Sequence, residues 1–124
     1  MFEKEVYDYL ANHTLIEIKG GTEREKFTEI WTINVGHRLF SRSWSKSEKS
    51  WFTEFQKTGV GQIKLGEKII DVYGEKIDKE DDINLEINQA YLKKYSQPEN
   101  KKYAQGITKP EYADYTMEFM IRMP

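Results

Sequence analysis

The chain has 124 residues, no cysteine and a formal net charge of -2 at pH 7, from 19 basic and 21 acidic side chains. This length fits a single domain, which we expect to span residues 1–124. The missing cysteines exclude a disulfide framework, a cysteine-ligated metal and a thiolate nucleophile. Because there is no basic excess, we expect no nucleic-acid partner. With no secretory signal and no apolar run near about 20 residues, we expect a cytoplasmic protein without a membrane partner.

The spacing of apolar residues predicts six strands and three helices in the order α-β-β-β-α-β-β-α-β. The predicted strands are residues 14–19, 29–35, 38–44, 62–65, 68–73 and 112–123. The second and third strands join through Gly36-His37, and the leading glycine is typical of a type II′ turn. Gly66-Glu67 joins the next hairpin, which Gly74 is expected to end. The fold class is therefore α+β and mainly β, with an antiparallel sheet.

The predicted helices differ in length. The first covers the opening dozen residues, and the second begins at Ser50, a good N-cap, and stops near Gly59. The longest spans residues 79–95, is capped by Asp78 and directly precedes the last strand. Pro98 lies where a helix cannot continue, so residues 97–110 are predicted to form a long loop. In the last strand, alternation predicts that these side chains face inward: Tyr115, Met117, Phe119, Ile121 and Met123.

Two kinds of catalytic site have little support in the sequence. His13 and His37 are far apart along the chain, and the acidic run at residues 80–82 is explained by the dipole of the following helix. We therefore expect no metal site, since closed sites need three or four convergent ligands. None of the serines lies in a Gly-x-Ser-x-Gly turn, which leaves no sequence signal for a serine nucleophile.

The segment of residues 42–51 is the strongest candidate for ligand binding. It connects a strand end to a helix start and carries three cations and two tryptophans, namely Arg42, Lys46, Lys49, Trp44 and Trp51. Cations and a helix N-terminus together can hold a phosphate, and tryptophans can cover a flat ring. The alternative is an ordinary polar connection in which both tryptophans are core anchors. The loop at residues 20–26 has mixed charge, which favours a solvated loop over an anion site.

The chain also resembles a known group of proteins. The resemblance is carried by the strand pair at residues 30–35 and 39–43, the tryptophan-bearing helix at Trp51, and the run Ala90-Tyr91-Leu92-Lys93-Lys94-Tyr95. These features are similar to a bacterial family of uncharacterised proteins related to split β-barrel flavin- and deazaflavin-binding proteins. That wider group includes pyridoxamine-phosphate-oxidase-like proteins and deazaflavin-dependent nitroreductases. The order of elements matches over nearly the whole chain.

The resemblance implies a six-stranded antiparallel split β-barrel that forms a homodimer and binds FMN or a deazaflavin at the dimer interface. By position, it implies that the cofactor-binding residues are Arg42, Ser43, Lys46, Ser50 and Trp51. One departure concerns residues 23–27, Glu-Arg-Glu-Lys-Phe, where deazaflavin-dependent relatives often carry a Gly-Arg-x-Ser-Gly-like turn. Glu23 and Glu25 would repel a polyanionic cofactor tail.

Three functions remain open from the sequence. The first is redox chemistry on a bound flavin-type cofactor or a similar phosphorylated planar small molecule, with the protein supplying contacts and excluding water. The second is a binding or interaction module that keeps the barrel without the cofactor, which Glu23 and Glu25 favour. The third is a small hydrolase that uses the serine-rich loop after the third strand. No catalytic acid or base can be assigned from the sequence.

Overall fold

The computed structural model describes residues 1–45 and 47–123. Within these ranges the chain forms four α-helices, one 3₁₀ helix and seven strands. The helices are α1 Lys4–Asn12, α2 Trp51–Thr58, α3 Ile83–Lys94, α4 Pro98–Ile107 and the 3₁₀ helix Pro110–Tyr115. The strands are β1 Ile16–Gly20, β2 Thr28–Ile30, β3 Ile33–Val35, β4 Arg38–Arg42, β5 Val60–Leu65, β6 Lys68–Lys76 and β7 Thr116–Ile121.

All seven strands belong to one antiparallel sheet in the order β2-β1-β5-β6-β7-β4-β3. The strands β2 and β3 lie at opposite ends of this order, yet only Trp31 and Thr32 separate them along the chain. The three Cα steps from Ile30 to Ile33 span at most about 10 Å, so the two ends of the sheet must come close together. The sheet therefore curls into a half-barrel, and the expected α+β fold with an antiparallel sheet is confirmed. The expected predominance of β structure is wrong, because the helices contain more residues than the strands.

The expected number of six strands is wrong, because the predicted strand at residues 29–35 is two strands. Ile30 pairs with Ile16 in β1, whereas Ile33 pairs with Phe40 in β4. Between them, the Thr32 backbone N–H donates to the Tyr95 hydroxyl at 3.1 Å instead of joining a strand ladder. A side chain from a helix thus breaks a run that looks continuous in sequence.

Two apolar cores lie on opposite faces of the sheet. One packs α1 and α2 against β1, β5 and β7, and the other packs α3 and α4 against β3 and β4. The neighbouring residues Leu39 and Phe40 are both fully buried, one in each core. Strand β4 is therefore covered on both faces, which explains why the polar residues Ser41, Arg42 and Ser43 are also buried.

The position of α2 is fixed by Phe55, whose ring fills a gap in the sheet left by glycines. A Cβ added at Gly74 would lie 2.9 Å from Phe55 Cγ, and one at Gly61 would lie 2.8 Å from Phe55 Cε1. The predicted ends of the helix are confirmed. The Ser50 side chain accepts from the Thr53 N–H, and Gly59 ends the helix in a left-handed conformation with φ of 73°.

Several predicted boundaries are wrong in the second half of the chain. Helix α3 begins at Ile83, not at residue 79, because Asp78 and Asp81 accept N–H bonds from Glu80 and Ile83 in two successive turns. The predicted loop at residues 97–110 contains α4. Pro98 occupies the first turn of this helix, where a proline ring is tolerated because no N–H is needed there.

The last strand is also shorter than predicted. Residues 110–115 form the 3₁₀ helix, and β7 begins at Thr116, which is buried although alternation places it outward. Met117 and Phe119 are buried as predicted, whereas Met123 is exposed beyond the strand end. Gly74 does not end its strand, since β6 continues to Lys76 and pairs with β7 through Gly74 and Phe119.

Across the described ranges, no helix is both long enough and apolar enough to cross a bilayer. The same part of the chain holds no group of three or more histidine, aspartate or glutamate side chains arranged to bind a metal ion.

Candidate functional site

A cleft of about 380 Å³ lies beside the start of α2, and all three tryptophans of the chain line it. We call it the aromatic cleft. Its wall is formed by Leu15, Arg24, Thr28, Glu29, Ile30, Trp31, Arg42, Ser43, Trp44, Ser45, Lys49, Ser50 and Trp51. Most of these residues come from β2, the break after it, the end of β4, and the connection to α2, while Leu15 precedes β1, Arg24 lies in the loop after β1 and Trp51 begins α2. The volume falls in the range of about 300–1,000 Å³ that is common for small-molecule sites.

Each tryptophan is held by a different element. Trp31, in the break between β2 and β3, stacks on Tyr95 of the α3 end, with ring centroids 3.8 Å apart. Trp51 opens α2 and is buried at 6% exposure against Phe55 and Phe119. Trp44 follows β4 and remains 46% exposed. Two of the three rings are therefore fixed by packing on one side, while Trp44 forms an open rim.

The structure brings four of the five predicted cofactor-binding residues to this cleft. Arg42, Ser43, Ser50 and Trp51 all line it, and the fifth, Lys46, lies outside the described residues. No bound ligand tests these roles, so the assignment stays a prediction. What the structure adds is a common location for residues that the sequence placed only along one segment.

Sequence reasoning missed Trp31 and gave little weight to Arg24. Trp31 sits in an apolar run, where a core position is the usual interpretation, and the break that turns it towards the cleft depends on Tyr95 far away in sequence. The Arg24 Nη2 donates to the Lys49 carbonyl and lies 3.5 Å from the Ser50 carbonyl. The same nitrogen is 3.8 Å from Glu54 Oε1. Arg24 thereby joins the loop after β1 to the start of α2.

Arg42 is held within the protein to a degree that the sequence does not predict. Its Nε donates to Thr116 Oγ1 at 2.9 Å and its Nη2 to Asn84 Oδ1 at 3.0 Å. Its Nη1 donates to the Ile107 carbonyl at 3.1 Å and also bonds Asn88 Oδ1. Burial in this amide-rich setting lowers the pKa of the guanidinium, and the Tyr91 phenol opposes that effect. The guanidinium therefore fastens β4 to α3, α4 and β7.

The two predicted serines also have partners in the protein. Ser43 Oγ donates to the Ser45 carbonyl at 2.8 Å, and Ser50 Oγ accepts from the Thr53 N–H at 3.2 Å. Ser50 thus satisfies one of the N–H groups at the start of α2, whereas other N–H groups of a first helical turn have no acceptor inside the helix. Together with exposed Lys49, the helix start makes this end of the cleft favourable for an anionic group.

The wall behind Trp31 contains buried titratable groups. Burial raises the pKa of Tyr91 to about 12 and moves the pKa of Tyr95 upward as well. Burial lowers the pKa of Lys94 to about 8, and the Lys94 Nζ donates to the Thr32 carbonyl at 2.6 Å. Because both phenols stay neutral, they add no negative charge behind the aromatic cleft, whose lining contains one carboxylate, that of Glu29.

The sequence matches one family model. The family is described as an uncharacterised protein conserved in bacteria (DUF2255), and its model matches residues 13–119. No curated protein has a matching sequence.

Two solved structures share the fold. A Listeria innocua protein assigned as a pyridoxamine 5′-phosphate oxidase is 11% identical with a TM-score of 0.57, and the match covers 95% of this chain and 90% of that chain. An FAD-binding protein of Mesorhizobium loti is 10% identical with a TM-score of 0.58, and the match covers 99% and 91% of the two chains. The resemblance to split-barrel flavin-binding proteins is thus confirmed for the fold.

Proposed function

The chain belongs to the DUF2255 family of bacterial proteins, and we propose that it binds the planar ring of a flavin-type cofactor in the aromatic cleft and uses it in redox chemistry. The proposal rests above all on one observation, namely that Trp31, Trp44 and Trp51 all line the same cleft. Two similar folds support the proposal, since one is an FAD-binding protein and the other is assigned as an oxidase of pyridoxamine 5′-phosphate. A bound flavin would supply the hydride chemistry, and the chain would orient it and exclude water.

The residues of the cleft fit such a ligand. The fixed indole of Trp31 and the exposed indole of Trp44 offer apolar surface for a flat ring, and base–aromatic stacking is worth about 1–3 kcal/mol for each contact. The start of α2 at Ser50 and the ammonium of Lys49 offer a place for a phosphate. FMN and a deazaflavin both combine a flat ring with a phosphate, so either satisfies this arrangement.

The partners of Arg42 favour a second candidate function. A guanidinium that already donates to Thr116, Asn84 and the Ile107 carbonyl has few N–H groups left for a cofactor phosphate. This observation favours a binding module that keeps the half-barrel without a cofactor. The two candidates differ in whether purified protein binds a flavin at all.

The test is a titration of the purified protein with FMN, FAD, a deazaflavin and pyridoxal phosphate, followed by thermal unfolding. A ligand that binds only the native state stabilises it by about 2.7 kcal/mol at a concentration of 100 times its dissociation constant. Quenching of the tryptophan fluorescence reports on the cleft itself, because every tryptophan of the chain lines it. No shift and no quenching with any of the four compounds would leave the cofactor-free module as the function.

A pair of variants tests whether the ligand binds in the aromatic cleft. Trp44→Ala removes an exposed rim ring and should weaken flavin binding roughly tenfold, the equivalent of one stacking contact. Leu92→Ala removes a comparably exposed apolar side chain of α3 that does not line the cleft, and it should leave the affinity unchanged. Equal affinities for Trp44→Ala and the unaltered protein would move the ligand out of the aromatic cleft.

We also propose that the protein is a homodimer and that the second copy covers the open rim of the cleft. Trp44 and Tyr103 are both largely exposed and form an edge-to-face pair with ring centroids 6.5 Å apart. Exposed aromatic pairs of this kind are enriched at protein interfaces and are uncommon on solvated surfaces. The pair stands beside the cleft, so a partner seated on it would close the site from solvent.

A further inference from the structure

A second, polar cavity of about 290 Å³ shares Arg24 with the aromatic cleft. We call it the cationic groove. It is lined by Lys19, Gly21, Thr22, Arg24, Gly61, Gln62, Asp71 and Arg122. The lining of the groove therefore contains three cations and one carboxylate, whereas the whole chain has a net charge of -2.

The sheet register explains why these side chains meet. Lys19 pairs with Gln62 across β1 and β5, and Gln62 pairs with Asp71 across β5 and β6. Directly opposite residues share a face of a sheet, so the three side chains form one row. The row continues to Arg122, whose backbone N–H donates to the Asp71 carbonyl at 3.0 Å. This row of side chains lies on the face of the sheet opposite Ile18, which is fully buried under α1 and α2.

The cations of this row are not neutralised by the described part of the chain. Lys19 places its ammonium over the Phe27 ring at 4.6 Å, and the Arg122 guanidinium is 6.0 Å from the Tyr73 ring centroid. Neither forms an ion pair with any carboxylate among residues 1–45 and 47–123. Asp71 instead accepts from Gln62 Nε2 at 2.9 Å. Two cations without a carboxylate partner in one concave site favour an anionic occupant.

The acidic residues of the neighbouring loop do not oppose this. Glu23 and Glu25, which flank Arg24 in sequence, are exposed and line neither the cationic groove nor the aromatic cleft. Among residues 23–25, only Arg24 lines both cavities. Its contacts with the Lys49 and Ser50 carbonyls attach the shared wall to the start of α2. The two carboxylates therefore lie outside both cavities, where they oppose an anionic ligand less than the sequence predicts.

We propose that the cationic groove binds the diphosphate of a dinucleotide whose planar ring lies in the aromatic cleft, so that the preferred flavin is a dinucleotide and not a mononucleotide. This inference rests on the proposed function, because it takes the ring position from it. The groove adds two further cations to those of the aromatic cleft, namely Lys19 and Arg122, which form no ion pair within the described part of the chain. Arg24 contacts both parts of such a ligand.

The test compares FAD with FMN on the double variant Lys19→Gln/Arg122→Gln, since neither residue lines the aromatic cleft. Loss of two charged contacts should weaken FAD binding by roughly tenfold or more and leave FMN binding unchanged. The control Lys57→Gln/Lys101→Gln removes the same charge from exposed positions outside both cavities and should alter neither affinity. An FAD affinity within about twofold of the unaltered protein, or an equal loss for both flavins, would overturn the proposal.

A separate arm uses inorganic pyrophosphate and calorimetry, so that the groove is tested without a flavin. Binding to the unaltered protein that disappears in Lys19→Gln/Arg122→Gln supports the groove even if every flavin fails, in which case the proposed function alone is lost. Absence of pyrophosphate binding combined with equal FAD and FMN affinities overturns the groove while the aromatic cleft stands. Thermal unfolding of both double variants confirms that each remains folded before affinities are compared.

Discussion

Trp31 lies face to face with Tyr95, with ring planes inclined by 6° and centroids 3.8 Å apart. Trp31 lies in the break between β2 and β3, and Tyr95 directly follows α3. The stack therefore joins two residues that are 64 positions apart in sequence. The hydroxyl of the same tyrosine accepts from the Thr32 N–H at 3.1 Å and donates to the Thr14 carbonyl at 2.7 Å. One side chain therefore fixes both the end of the half-barrel and one wall of the aromatic cleft.

Removal of this hydroxyl should destabilise the protein. In Tyr95→Phe, the N–H of buried Thr32 loses its partner, and an unsatisfied buried group costs about 1–3 kcal/mol, whereas the carbonyl of exposed Thr14 can accept from water instead. We expect a loss of about 2 kcal/mol in the free energy of unfolding, measured with urea. Tyr73→Phe is the matched control, because that side chain is 46% exposed, and its change should stay within about 0.5 kcal/mol. Equal stabilities of the two variants would contradict the bracing role of Tyr95.

Loss of the Arg42 guanidinium should cost more than loss of another arginine on the same strand. Arg42→Gln leaves acceptors on Thr116, Asn84 and Ile107 without their donor, so we expect at least about 3 kcal/mol of destabilisation in urea. Arg38, also in β4, forms a two-armed ion pair with Glu118 that is open to solvent. Arg38→Gln should therefore lose only about 0.5–1 kcal/mol.

The same variant decides the predicted cofactor contact of Arg42. Flavin affinity is measured on Arg42→Gln without denaturant, at a temperature where circular dichroism shows that the variant is folded. A lower affinity in the folded variant supports the contact that the resemblance implies, while an unchanged affinity limits Arg42 to bracing β4. If Arg42→Gln were as stable as the unaltered protein, this would contradict the stabilising role of the hydrogen bonds that Arg42 donates.

Local signals in the sequence were sufficient for the elements that depend on neighbouring residues. Ser50 and Gly59 set the ends of α2, and the hairpin around Gly66-Glu67 follows from alternation and a glycine turn. The meeting of Arg42, Ser43, Ser50 and Trp51 at one cleft also follows from their closeness along the chain. These predictions need no knowledge of which elements pack together.

The predictions that failed depend on residues distant in sequence. Thr32 leaves the strand because Tyr95, directly after α3, bonds to it, and Thr116 can be buried because the Arg42 Nε donates to its hydroxyl. Pro98 is equally compatible with ending one helix or opening the next, and packing of Ala104 and Ile107 in the second core selects the latter. No periodicity in a single sequence contains this information.

The protonation of Lys94 should make stability depend on pH. Burial lowers its pKa to about 8 in the folded state, below the ordinary value of 10.5. Between these values the unfolded chain binds more protons than the folded chain, so the contribution of Lys94 to stability increases as pH rises from about 8 to 10.5. At neutral pH the partly buried ammonium is a cost, and Lys94→Met removes this cost together with the bond from the Lys94 Nζ to the Thr32 carbonyl.

The measurement is the free energy of unfolding of both proteins in urea across this pH range. The stability of Lys94→Met relative to the unaltered protein should be highest below pH 8 and should fall steadily above it. Lys93→Met, which removes the exposed neighbouring lysine of α3, controls for the general loss of a positive charge. A relative stability that rises with pH would have the opposite sign to the one that a lowered lysine pKa requires.

The homodimer proposal leads to a prediction about mass and about one exposed ring. Sedimentation equilibrium at micromolar concentration should report about twice the chain mass of 14.7 kDa. Tyr103→Glu places a charge on the exposed aromatic pair with Trp44 and should shift the protein to the monomer, because an unpaired charge buried in an interface is costly. Leu85→Glu adds the same charge at an exposed apolar position of α3 away from that pair and should leave the dimer intact. A monomer for the unaltered protein would mean that the rim at Trp44 faces solvent, and a flavin in the aromatic cleft would then be bound by one chain alone.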